Sequence, residues 1–240
     1  KEKDVVLKEK DDVLVSEICT LLECHPLAIV VAAKKARAQA IPLEKLKARL
    51  ENEKTRLLSL AIEDSRDKKG SVWASLNYSY TGLNEVQRTV LTHLAACFGR
   101  TTGIELLSKV CGLSEMDCED QIGSLMQHSL VESRGDNVGL QLLIKDFGRD
   151  RLAAELPLVQ DRIVNATRWY VEKYSEQKPE HFDKLELELG NLLGAIRHAE
   201  ERQMWETVLA IAEVLGGRME KLVGVRGYWT EALAVRELRI

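Results

Sequence analysis

The chain reads as a succession of amphipathic helices, interrupted once by a short run of alternating residues. Between Asp11 and Glu23, apolar Val13, Leu14, Ile18, Leu21 and Leu22 recur at helical spacing; the charged run before them is a helix start or a frayed end. Pro26 stops this helix and opens a second to about Gln39, in a first turn where a missing N–H costs nothing. Leu27, Ala28, Val30 and Val31 are its inward positions. Lys34, Lys35 and Arg37 lie toward its C-terminal end, where the helix dipole favours cations. Ile41-Pro42 opens a third helix through Leu50, with Glu44, Lys45, Lys47 and Arg49 on the wet side. The polar run 62–70, ending in Gly70, reads as a linker.

Past the linker the pattern predicts a short helix over Val72–Tyr78. A longer one follows over Asn84–Phe98, with Val86, Val90, Leu91, Leu94, Ala95 and Phe98 in register. Thr101-Thr102 is the expected cap of a helix ending at Cys111, and Ser114 caps Glu115–His128. The period then drops to two. Leu130–Ser133, a turn at Arg134–Asn137 and Val138–Leu142 predict a small β-hairpin, and a helix resumes from Leu143 to Glu155. Three helices followed by a two-stranded ribbon outline a winged helix-turn-helix. Leu156-Pro157 marks a boundary. Beyond it the pattern is helical over Val159–Tyr174, Lys184–Glu201, Trp205–Leu215 and from Gly227 onward. Leu185, Leu189, Leu192, Leu193 and Ile196 form one apolar stripe; Trp205, Val208, Leu209 and Ala212 form the next. Such paired helices build helical-repeat arrays. In Arg226-Gly227-Tyr228-Trp229, Gly227 allows close helix approach and an aromatic ring fills the core.

Composition narrows the class. Hydrophobic residues are 45% and charged residues 30%, a globular balance, and low aromatic, Gly and Pro content agrees with a mainly α fold. A net charge of −4 gives the chain no electrostatic reason to seek nucleic acid or an anionic membrane. Cys19, Cys24, Cys97, Cys111 and Cys118 are scattered without C-x-x-C spacing, which points to reduced thiols in a cytoplasmic protein and away from structural zinc or a disulfide framework. No run reaches the roughly 18 apolar residues of a membrane span, and no signal peptide is visible. A start at Lys1 and an end within a helical pattern at Ile240 lead us to expect a fragment of a longer protein.

The familiar catalytic motifs are missing. The chain has no G-x-x-x-x-G-K-[ST], G-x-G-x-x-G, H-E-x-x-H or G-x-S-x-G. His25, His93, His128, His181 and His198 lack ligand spacing, and the carboxylate pairs fall on wet helix faces. The expectation is a binding or regulatory segment, not an enzyme. A winged helix also suggests a DNA-binding transcription regulator. Against this, the reading-helix stretch Glu115–His128 carries Glu115, Asp117, Glu119 and Asp120 and no Lys or Arg, so it repels phosphate. The turn adds only Arg134, opposed by Asp136.

Three separated stretches resemble one family. CHPLAIVVAA, at Cys24–Ala33, is similar to the G-L-P-L-A segment of the NB-ARC and related STAND signalling ATPases. ASLNYSYTGLNEVQRTVLTHLAAC resembles the start of their winged-helix domain, with its S-Y-x-x-L phrase before a long helix. SLVESRGDNVGLQLLIKDFGRDRLA resembles that domain's end, at the family's M-H-D position. The stretch from Leu185 to Leu233 is similar to the tetratricopeptide-like helices that follow in bacterial members. The resemblance implies an ARC-type helical domain over 1–66, a winged helix over 67–156 and a tetratricopeptide-like region over 157–240.

It implies as well a nucleotide switch, NLR-like in kind. An upstream P-loop domain binds ADP or ATP with Mg, and the parts present here close over the nucleotide. Exchange then leads to oligomerisation or engagement of an effector, with the C-terminal helices as the partner or ligand surface. Pro26 matches the proline that packs on the adenine; a helix-start proline is the plainer alternative. Gln141 falls where the sensor histidine reaches the ADP β-phosphate, but Leu140-Gln141-Leu142 departs from M-H-D, and an amide brings no charge. Its alternative is an exposed residue at a strand end. The departure is also compatible with a parent that has lost ATPase function and serves as a scaffold.

Overall fold

The computed structural model describes residues 2–22, 24–60, 70–176 and 178–226, with the side chains of 2–10, 54–60, 70–71 and 216–226 left aside. The chain forms two compact units: Lys1–Arg88 with Gly123–Leu130, and Thr89–Ile122 with Val131–Ile240. The fold is mainly α, with one small antiparallel sheet.

The first unit is built from α1 (Glu2–Leu21), α2 (Pro26–Ala38), α3 (Leu43–Leu60) and α4 (Gly70–Thr81). Ile18, Leu22, Leu27, Ala28, Val31, Leu46, Leu50 and Leu76 are buried. Removing such side chains from water is the main force holding short helices together. Ser75 Oγ donates to the Ala28 carbonyl at 2.8 Å, a polar tie between α4 and α2. Val13 and Val30, expected inward, are exposed, because each lies on the far side of its helix from the buried residues, Ile18 and Leu22 at the end of α1 and Ala28, Val31, Ala32 and Lys35 on α2. The expected linker falls largely on 61–69, outside the described residues, and Gly70 already belongs to α4.

The next elements are α5 (Glu85–Ala96), β1 (Thr101–Thr102), α6 (Ile104–Cys111), α7 (Glu115–Gln127), β2 (Glu132–Arg134), β3 (Asn137–Gly139) and α8 (Leu142–Leu152). This is the element order of a winged helix. Helix α6 ends on Gly112, whose φ of 69° closes the last turn through its N–H to the Ser108 carbonyl. The hairpin turn places Gly135 at φ 65°, the sign that a tight hairpin needs at its first turn residue. The sheet order is β1-β3-β2. Thr101-Thr102 thus differs from expectation: the pair is a strand, with Thr101 opposite Gly139 and Thr102 opposite Val138, and Gly103 is the residue before α6. A two-residue strand has no alternation to read, and two threonines before a helix resemble a cap equally well.

A 3-10 turn (Ala153–Glu155) leads into α9 (Leu156–Lys173), α10 (Pro179–Leu187), α11 (Leu189–Glu201) and α12 (Trp205–Arg226). Helices α9, α11 and α12 pack on one another around Ile163, Val164, Leu192, Ile196, Val208 and Ile211. Two differences stand out. The single helix expected over Lys184–Glu201 is broken at Glu188, which leaves helical geometry at φ −101°, ψ 6°. Trp205 and Leu209, expected in the stripe, are exposed at 54% and 57%, while Val208 and Ala212 face inward. The expected helix from Gly227, with Tyr228 and Trp229, lies outside the described residues.

A Cβ at Gly194 would overlap the Phe98 Cβ, and that atom cannot swing aside. Gly194→Ala should therefore cost about 2 kcal/mol. Gly123→Ala, in a helix and with open space around it, should be neutral or gain up to about 1 kcal/mol. Urea unfolding of the two variants checks the pair.

Candidate functional site

Each unit holds a buried polar cluster and one candidate residue of the sequence. In the first unit, Cys24 turns the chain at φ 53° and the His25 N–H bonds the Leu22 carbonyl at 3.0 Å. Pro26 then takes the first position of α2 after the extended His25, and it is exposed. Its ring offers an apolar face that needs no hydrogen bond, suited to a planar base. Further along α2, Lys35 is buried at 4% exposure. Its Nζ donates to the carbonyls of Tyr78 and Ser79, in the last turn of α4, and lies 4.0 Å from the Tyr78 ring centroid. A cation there suits the C-terminal end of the helix dipole, beside carbonyls that also accept from Thr81 Oγ1 and the Gly82 N–H. Arg49 bonds the Tyr78 hydroxyl at 3.1 Å. Burial pulls the Lys35 ammonium down to about 8, Arg49 adds to the shift, and Glu53 opposes it.

In the second unit, Gln141 is exposed and directly precedes α8. Its Nε2 donates to Glu132 Oε1 at 2.5 Å, and Arg134 pairs with the other carboxylate oxygen at 3.1 Å. The Gln141 amide and then Arg134 hold the Glu132 carboxyl below its usual range. In this arrangement the Gln141 amide and the Glu132 carboxylate pair at the surface, at the junction of the hairpin and α8. Lys145, one turn into α8, donates to the Gly99 carbonyl. Pro26 and Gln141 belong to different units.

Helix α7 presents Glu115, Met116, Asp117, Glu119 and Asp120 as exposed residues. Ser114 caps it: its Oγ accepts the Asp117 N–H at 3.1 Å and donates to Asp117 Oδ2 at 2.6 Å. The acidic first turn suits the helix dipole.

The cluster that sequence reasoning missed lies at the α10–α11 break. Glu188 is 1% exposed. Its carboxylate accepts from the Gly103 N–H, from Thr102 Oγ1 at 3.2 Å and from Asn191 Nδ2 at 2.7 Å. Asn191, also fully buried, accepts the Gly99 N–H at 2.7 Å and donates to the Thr101 carbonyl at 2.9 Å. Asn137 Nδ2 donates to the Leu187 carbonyl at 3.0 Å. The available signal was E-x-x-N inside an otherwise apolar helical stretch, two polar groups where the stripe calls for leucine.

Three of the thiols are held in the protonated form by burial. Burial pushes Cys97 up to about 12 and Cys118 up to about 11, and raises Cys111 as well. Among the described residues no group of three or more His, Cys, Asp or Glu could hold a metal ion, and no helix is long and apolar enough to cross a membrane.

No family model matches the chain, and no curated protein matches it. Among solved structures, the chain is similar to part of a signal transduction ATPase with numerous domains (STAND) that carries a tetratricopeptide repeat sensor, from Pyrococcus horikoshii. The similarity covers 88% of this chain at 16% identity, with a TM-score of 0.48. The chain spans 29% of that protein's length.

Asn191→Ala would strip the Gly99 N–H and the Thr101 carbonyl of their partner in a buried site. The expected loss is about 2 kcal/mol, read as a lower urea midpoint.

Proposed function

We propose that this chain is the regulatory part of a STAND-type nucleotide switch. A helical ARC-type segment and a winged helix act as the lid over ADP or ATP with Mg, held by an upstream P-loop domain. The tetratricopeptide-like helices receive a protein partner or ligand, and activation leads to self-association. The observation that carries this reading is the order of parts: helices opening at Cys24-His25-Pro26, a winged helix, then packed helix pairs. The chain's own chemistry supports a lid. Pro26 offers an exposed apolar face, and the chain has no P-loop motif of its own.

At Gln141 the amide is engaged by Glu132, so no phosphate contact is assigned there. Sensing of the nucleotide state then rests on closure of the lid against the upstream domain. Transcriptional regulation through the winged helix is the weaker reading. Exposed Glu115, Asp117, Glu119 and Asp120 line the helix that would enter the major groove, where phosphates demand the opposite sign. The same face suits a basic protein surface.

Titration calorimetry with ADP tests this. The 240 residues alone should show no submicromolar binding. Joined to the upstream domain, the protein should bind ADP, and Pro26→Ala should weaken binding by roughly fivefold, the loss of about 1 kcal/mol of apolar contact. Gln141→Ala should stay within about twofold. Tight ADP binding by the chain alone, or an upstream region without a P-loop, would overturn the proposal.

A further inference from the structure

Edge strand β1 is held from outside its sheet by side chains. On one side it pairs with β3; on the other, the Asn191 amide bonds Gly99 and Thr101 as a neighbouring strand would, and Glu188 takes the Gly103 N–H and the Thr102 hydroxyl. Both residues come from the α10–α11 break, so this junction and the winged-helix sheet share one set of hydrogen bonds. The carboxylate's described partners are N–H and O–H donors, none of them a cation. Its charged and titratable surroundings offer little relief. Glu105 of α6 repels it, the Cys97 thiol and the Tyr170 hydroxyl of α9 are neutral, and Lys145 of α8 is committed to the Gly99 carbonyl.

We infer that Glu188 is a proton-operated latch on the winged-helix sheet: neutral, it keeps the α10–α11 junction closed over β1, and ionised, it drives that junction open. A buried carboxylate without a counter-ion is costly even with good donors, and opening to water removes the cost. The balance lies in a useful range. Burial, outweighing the donors from Gly103, Asn191 and Thr102, raises the Glu188 carboxyl to about 7. An opened junction returns it toward 4.5, the ordinary value. The closed form therefore binds the proton more tightly, its advantage is full below the ordinary value, and it is lost as pH rises through 7. The latch stands on this cluster alone and does not depend on the nucleotide reading. In a protein whose paired helices take an input, it would pass a change at α10–α11 directly to the sheet.

Amide hydrogen exchange on the 240-residue chain tests the latch. Protection at Gly99 and Gly103 is compared at pH 6 and pH 8 after correction for intrinsic rates, with Ile163 of α9 reporting global unfolding. Opening at Gly103 should rise roughly tenfold over this range, the ratio that linkage gives for the two proton affinities, while Ile163 changes less. Glu188→Gln should remove the pH response, and Glu188→Ala should leave Gly103 open at both pH values. An equal pH response in Glu188→Gln, or Gly103 exchange moving only in step with Ile163, would overturn the latch. Should neither variant fold, wild-type opening at Gly103 that does not change with pH would overturn it as well.

Discussion

A two-residue edge strand cannot satisfy its own backbone, and the second unit is organised around this constraint. One side of β1 is paired with β3, and its other side would be left as buried N–H and C=O groups. Asn191 and Glu188 remove that cost, and meeting it fixes much else. It requires α10 and α11 to part at residue 188, and it sets the position of Leu189 and Leu192 against the core. It also explains why two fully buried polar residues interrupt an apolar stripe. The buried polar network is satisfied member by member, the condition under which such networks specify one arrangement rather than weaken it.

The first unit solves a related problem with a cation. Lys35 of α2, itself buried, reaches the carbonyls in the last turn of α4 with its ammonium. Tyr78 contributes a ring face to the same ammonium and a hydroxyl to Arg49. The helix whose first residue is Pro26 is thus tied to α4 near its C-terminal end.

Charge separates the functional readings more sharply than fold does. A winged helix is shared by proteins that read DNA and proteins that never touch it. On this chain the groove-facing helix carries its acids on the exposed surface, and the turn's one arginine is neutralised by Glu132. That surface repels phosphate. At Gln141 the same Glu132 engages the amide, which couples the wing to the start of α8 within the chain itself.

The amino-acid pattern alone determined the helical class, the position of most helices and the hairpin, because buried stripes at a period of 3.6 and a change to a period of two follow from which faces must leave water. It marked Pro26 and Gln141 as candidates and placed the acidic residues on α7. It could not reveal that Thr101-Thr102 is a strand, since a short strand exists only by virtue of its partner β3, 36 residues on. The break at Glu188 was masked because the leucine stripe runs on across Gly190 and Asn191, and the partners that Glu188 and Asn191 find, the N–H groups of Gly103 and Gly99, lie some 85 to 92 residues away. The exposure of Trp205 and Leu209 was decided in the same way, by which neighbours α9 and α11 supplied to α12. Local sequence encodes what a segment can do with its own atoms; the tertiary fold decides wherever the unsatisfied group belongs to a distant segment.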